Sequence, residues 1–154
     1  MFSKEKNYVY AVDGVNFTIK PGETLGLVGE SGCGKSTVAR AVAQIYKPTS
    51  GEVLLDGKDL TKMSKKELLL ARKDMQMVFQ DPYGSLSPRM TTANIIAEPM
   101  HIYRNRGLLQ MTDEEIDKRV EYLMELVGLS KFFKNRYPHE FSGGQRQRIC
   151  IARA

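Results

Sequence analysis

Nine consecutive residues, Gly29-Glu30-Ser31-Gly32-Cys33-Gly34-Lys35-Ser36-Thr37, have the types and spacing to hold a phosphate group. They satisfy the pattern G-x-x-x-x-G-K-[ST] in full. Glycines let the backbone curl around an anion with no Cβ in the way, so that several N–H groups point into one concavity. A helix starting there adds about half a positive charge. Lys35 has the length to reach β- and γ-phosphates, and Ser36 has a hydroxyl to offer Mg2+. The flanks suit this chemistry. Residues 24–28, Thr-Leu-Gly-Leu-Val, read as a buried strand, and residues 37–46 read as a helix. The alternative, a merely structural glycine-rich turn, leaves the lysine and hydroxyl spacing without a reason.

A second cluster lies near the other end. Phe141-Ser142-Gly143-Gly144-Gln145 precedes the helical run from Arg146 to Ala154. Ser142 is a natural N-cap and Gln145 lies three residues on, which makes a capping box. Two glycines in a first turn cost about 1 kcal/mol each against alanine. One reading is simply an awkward helix start; the other is a second anion site, in which bare backbone amides, the serine hydroxyl and the helix dipole are aimed at a phosphate.

The elements between them change character along the chain. Residues 15–19 alternate as a strand and close at Pro21-Gly22, and residues 52–55 form a short strand ended by Asp56-Gly57. Residues 64–73 read as a helix with a Ser64/Glu67 capping box. Residues 75–79 form another buried strand, followed by the loop Gln80-Asp81-Pro82-Tyr83-Gly84-Ser85. Beyond it only helices are expected, at 92–100 and 112–127. The second carries a Thr112/Glu115 box, a Met111 staple onto Ile116, a face of Ile116, Val120, Leu123 and Val127, and Gly128 at its end. The expected division is 1–84, mixed α/β, and 85–154, helical.

Composition sets bounds. With 154 residues, 42% hydrophobic and 27% charged, the chain has the makings of one soluble domain. No apolar run approaches the roughly 18 residues that span a bilayer, and residues 1–7 are too charged for a signal peptide. Cys33 and Cys150 form no spaced framework, which suits a reducing cytosol. A net charge of +5 fits a chain that meets anions. The basic stretch Lys58, Lys62, Lys65, Lys66, Arg72 and Lys73 is broken by Asp59 and Glu67, lacks interleaved aromatics, and reads as a solvated face rather than a nucleic-acid surface. His101 and His139 lack spaced ligand partners, and the methionines read as packing. Cys33, near a helix start, reads either as a redox brake on the loop or as a residue whose backbone amide alone matters.

The order of phosphate loop, Val78-Phe79-Gln80-Asp81-Pro82, helices, then Ser142-Gly143-Gly144-Gln145 resembles the ATP-binding subunits of ABC transporters. Gln80 follows Lys35 by 45 residues and Ser142 follows Gln80 by 62, which suits that family's glutamine loop and signature motif. Ala11-Val12-Asp13-Gly14-Val15, the run from Gln76 to Met90, and the run from Tyr137 to Arg148 resemble the oligopeptide/dipeptide import branch.

The resemblance implies an α/β P-loop NTPase fold of the ABC type: part of a RecA-like core with a β-subdomain, plus a helical signature subdomain. It implies ATP and Mg2+ as cofactors, with Gly29, Ser31, Gly32, Cys33, Gly34, Lys35, Ser36 and Thr37 around the phosphates. Ser36 and Gln80 lie near the metal, and Gln80 near the attacking water. Ser142, Gly143, Gly144 and Gln145 meet the ATP of a second ABC ATPase subunit in a head-to-tail dimer. Transmembrane permease subunits, and indirectly an extracytoplasmic solute-binding protein, complete the implied assembly. It sits peripherally on the cytoplasmic face of the cell membrane, with no nucleic-acid partner.

The family's apolar strand ending in Asp-Glu and its switch histidine are not found, and its adenine-stacking aromatic has only Phe2, Tyr8 and Tyr10 as stand-ins. The expectation is therefore a truncated piece of a larger ATPase, unstable and without turnover by itself. The remaining alternatives are a catalytically silent nucleotide-binding or dimerising module, the ATPase of a nickel or other small-solute importer, and an ABC ATPase of repair or translation. A P-loop kinase or GTPase leaves Ser142-Gly143-Gly144-Gln145 unexplained.

Overall fold

In the computed structural model, which describes residues 10–154, the contacts divide the chain into two compact units, Met1–Met75 and Gln76–Ala154. Phe2 and Tyr8 fall outside the described residues.

In the first unit the phosphate-loop helix α1 spans Lys35–Val42. It begins two residues earlier than expected, because the left-handed Gly34 (φ 95°) turns the chain directly into it. It also ends earlier than the expected Tyr46. Gln44 takes a left-handed conformation (φ 52°), and the amides of Ile45 and Tyr46 both donate to the Arg40 carbonyl. That is a helix-ending turn with glutamine where glycine is usual. A hairpin follows. β1 (Leu54–Leu55) pairs antiparallel with β2 (Lys58–Asp59) through a two-residue turn in which Asp56 (φ 49°) and Gly57 (φ 76°) are both left-handed. Helix α2 (Lys65–Ala71) carries both halves of the Ser64/Glu67 capping box.

The expected strands at 15–19 and 24–28 are not strands in this unit, and the one at 52–55 shrinks to β1. A strand exists by pairing, and among the described residues neither 15–19 nor 24–28 has a ladder partner. Their apolar side chains stay open, with Val28 at 92% exposure. Tyr10 is 79% exposed. Among the described residues of this unit, Leu60 is the buried hydrophobic one.

The second unit holds the core. Residues 75–79, the expected strand spanning the junction of the units, are likewise unpaired. Helix α3 (Pro82–Ser85) is one turn capped by Asp81, whose carboxylate accepts from the amides of Tyr83 and Gly84. Helix α4 (Thr92–Asn105) runs five residues past its expected end and carries Pro99 in its interior. Helix α5 (Asp113–Leu126) has the Thr112/Glu115 box, and helix α6 spans Gly143–Arg153. Ile95 and Ile96 of α4, Ile116, Val120 and Met124 of α5, and Ile149 and Cys150 of α6 pack into one cluster with Leu86, Leu129 and Phe141. The 3-10 turns Lys131–Phe133 and Pro138–Glu140 lead into α6. Among the described residues no helix is long and apolar enough to cross a membrane.

Gly128 ends α5 in the left-handed region (φ 71°), and the Leu129 amide closes back onto the Met124 carbonyl at 2.8 Å. Arg148 of α6 donates to the carbonyls of Val127 and Gly128, placing a cation at the negative end of α5. A Cβ on Gly128 would also stand 2.8 Å from that guanidinium. Gly128→Ala is expected to lower unfolding stability by about 1–2 kcal/mol, read as a lower urea midpoint with an unchanged slope.

Candidate functional site

The phosphate loop folds around its own lysine. Lys35 Nζ donates to the carbonyls of Gly29 at 2.7 Å and Glu30 at 2.6 Å, and lies 3.5 Å from Cys33 Sγ. Gly32 (φ 85°) and Gly34 (φ 95°) are left-handed, so the two glycines make the curl that the sequence pattern requires. Gly34 is needed twice over, because a Cβ there would lie 2.5 Å from the Ala11 carbonyl oxygen. Gly29 is closed by Cys33, whose Sγ would stand 2.7 Å from an added Cβ.

The amides of Gly34, Lys35, Ser36 and Thr37 have no acceptor among the described residues. They cluster at the start of an eight-residue helix. Ser31, Cys33 and the Ser36 hydroxyl are exposed beside them. This donor set, orphan amides with one ammonium and one hydroxyl, fits the phosphates of a nucleotide and a metal ion carried with them.

Gln80 and the Ser142 cluster belong to the second unit. Gln80 is exposed in a bend immediately before Asp81, the cap of α3, and its side-chain amide has no partner among the described residues. Ser142 caps α6: its Oγ accepts from the Gln145 amide at 3.3 Å, and Gln145 Oε1 accepts from the Ser142 amide at 3.0 Å. Gly143 and Gly144 fill the first turn. Neither has a left-handed φ, and nothing lies within 4 Å of a Cβ built on either. Among the described residues the fold therefore gives no reason for glycine at these two positions, and their amides have no acceptor there.

The two cysteines differ in kind. Cys33 is exposed in the phosphate loop, whereas Cys150 is buried in α6 and burial pushes its thiol pKa up. Sequence reading did not single out Arg146 and Tyr83. The Arg146 guanidinium lies 3.7 Å from the centre of the Tyr83 ring and donates to its hydroxyl. Both residues stood inside recognised motifs, but their meeting across 63 positions left no local signal.

A glycine-lined lysine loop opening a helix, followed by a serine-capped double-glycine helix start, defines an ABC-type nucleotide-binding domain. The model of the ABC transporter family matches residues 12–154, and the chain belongs to that family. It is 55% identical over 154 residues to the oligopeptide transport ATP-binding protein OppF of Bacillus subtilis, covering 99% of this chain and 49% of that one. It is 54% identical over 144 residues to the Escherichia coli OppF, covering 94% and 42%. The chain thus spans about half the length of the curated relatives it matches.

Among solved structures, it superposes on the dimeric post-hydrolysis state of the ATP-binding cassette MJ0796 bound to ADP and Pi. The TM-score is 0.83 at 35% identity, over 99% of this chain and 64% of that one. The ABC ATPase nucleotide-binding fold is therefore established for the part spanned here, including its α/β P-loop class.

Proposed function

We propose that this chain is the ATP-binding part of the ATPase subunit that powers an importer of oligopeptides. The observation that carries the reading is the 55% identity to an oligopeptide transport ATP-binding protein along nearly the whole chain. The phosphate loop, Gln80 and Ser142-Gly143-Gly144-Gln145 stand in the family's order within it. The phosphate loop belongs to the unit Met1–Met75, and Gln80 and the signature to the unit Gln76–Ala154.

ATP is held by Gly29, Ser31, Gly32, Cys33, Gly34, Lys35, Ser36 and Thr37. The open amides at 34–37 take phosphate oxygens, and Lys35 turns from the Gly29 and Glu30 carbonyls to the β- and γ-phosphates. Ser36 and Gln80 would hold Mg2+, which supplies charge neutralisation at the phosphate oxygens when bound. Gln80 orients the attacking water. Ser142, Gly143, Gly144 and Gln145 face the nucleotide of a second ATPase subunit. The dimeric state of a structural relative supports this arrangement, and so does the lack of any internal reason for Gly143 and Gly144.

Permease subunits and, through them, a solute-binding protein complete the assembly on the cytoplasmic membrane face.

Uptake of a labelled oligopeptide by cells that depend on the whole protein tests the reading. Lys35→Ala in the whole protein is expected to abolish peptide uptake while nickel uptake stays unchanged. Peptide uptake at the wild-type rate would overturn it.

A further inference from the structure

We propose that Arg146 is a positioning residue that clamps the signature helix to the segment behind Gln80, so that the two loops move as one piece. This rests on the function just proposed for those loops. The clamp has two grips, both within the second unit. At the start of α6, Arg146 stacks on the Tyr83 ring with its guanidinium 3.7 Å from the ring centre and donates to the Tyr83 hydroxyl. Its other terminal nitrogen donates to the Pro138 carbonyl at 3.4 Å, and its Nε is buried without an acceptor. At the far end, Arg153 donates to the Ser85 carbonyl at 2.5 Å.

Residues 146 and 153 are seven apart and lie on one stripe of a helix, with the buried Ile149 and Cys150 between them. The two arginines thus grip α3 near its start and at its last residue, alongside a packed seam. Gln80 lies three residues before Tyr83, and Ser142 four before Arg146. The clamp therefore anchors each loop within three or four residues of its functional side chain. A planar guanidinium stacks and donates at once, which a lysine ammonium does not do. Arg146 itself touches no reacting atom; it acts through where it holds Gln80 and Ser142.

The test uses the whole protein and two readouts. Without nucleotide, amide hydrogen exchange at residues 83–85 is expected to rise at least tenfold in Arg146→Ala and equally in Tyr83→Ala. The double variant should show no further rise, and exchange in α5 should not change. With ATP, kcat is expected to fall about tenfold in either variant with KM unchanged, since the phosphate loop is untouched. Tyr83→Phe, which keeps the ring, should recover most of the loss. Unchanged exchange at 83–85 in Arg146→Ala would overturn the proposal, as would a double variant whose loss is the product of the two single losses. A wild-type protein without turnover would sink the ATPase reading, while the exchange comparison would still decide the clamp.

Discussion

Lys35→Ala in the whole protein is expected to lower ATP turnover at least a hundredfold while leaving the fold in place. The ammonium is already held at the mouth of the loop by the Gly29 and Glu30 carbonyls, at 2.7 and 2.6 Å. Those two bonds keep the ammonium at the loop, and it exchanges them for phosphate oxygens when the nucleotide arrives. An ammonium aimed at charge that grows on a transferring phosphoryl group is worth about 3–4 kcal/mol in a preorganised site, which is about two to three decades of rate. Its removal strands no buried partner, because both acceptors are backbone carbonyls in an exposed loop. Stability should therefore change by less than about 1 kcal/mol. A variant that keeps half the wild-type turnover, with melting unchanged, would remove Lys35 from the mechanism.

Gly144→Ala is expected to act in opposite directions on stability and turnover. The glycine is in the first turn of α6, its φ is not left-handed, and a Cβ meets nothing within 4 Å. Alanine there should stabilise the helix by about 0.5–1 kcal/mol. If the bare backbone exists to let a phosphate close on the Gly143 and Gly144 amides, the added methyl group stands in that approach, and turnover should fall at least tenfold. The double variant Gly143→Ala/Gly144→Ala should be more stable still and nearly inactive. A measurement of urea midpoint and turnover on the same preparations checks the pair. Gains in both would mean that the glycines serve no ligand.

What was legible in the sequence was local. The three capping boxes at Ser64/Glu67, Thr112/Glu115 and Ser142/Gln145 each span four residues, and all three form as read. The phosphate loop was equally plain, since its glycines, lysine and hydroxyls are consecutive. The apolar stripe of α5 was read nearly right, but Met124, fully buried on it, was missed because Leu123 and Val127 also fit a helical face.

Errors arose where the deciding interaction is distant or uncommon. Residues 24–28 have strand composition but no ladder partner among the described residues, and composition does not supply one. Helix α1 ends at a glutamine in a glycine's conformation, and α4, expected to end at Met100 just past Pro99, continues to Asn105. The hairpin at Asp56-Gly57 was signalled by a known turn pair and read only as a strand end. Gln80 and the Ser142 cluster were singled out by order and spacing, while the Arg146–Tyr83 contact beside them depends on side chains 63 residues apart.

The most direct test of the central claim, that this loop holds nucleotide phosphates, uses a probe the sequence already provides. Cys33 is exposed between Gly32 and Gly34, and Cys150 is buried, so alkylation followed at each cysteine by peptide mass spectrometry has its own internal reference. Millimolar ATP with Mg2+ is expected to slow alkylation of Cys33 at least tenfold, AMP should leave it unchanged, and Lys35→Ala should remove the protection. Alkylation of Cys33 at the same rate with and without ATP would contradict the account.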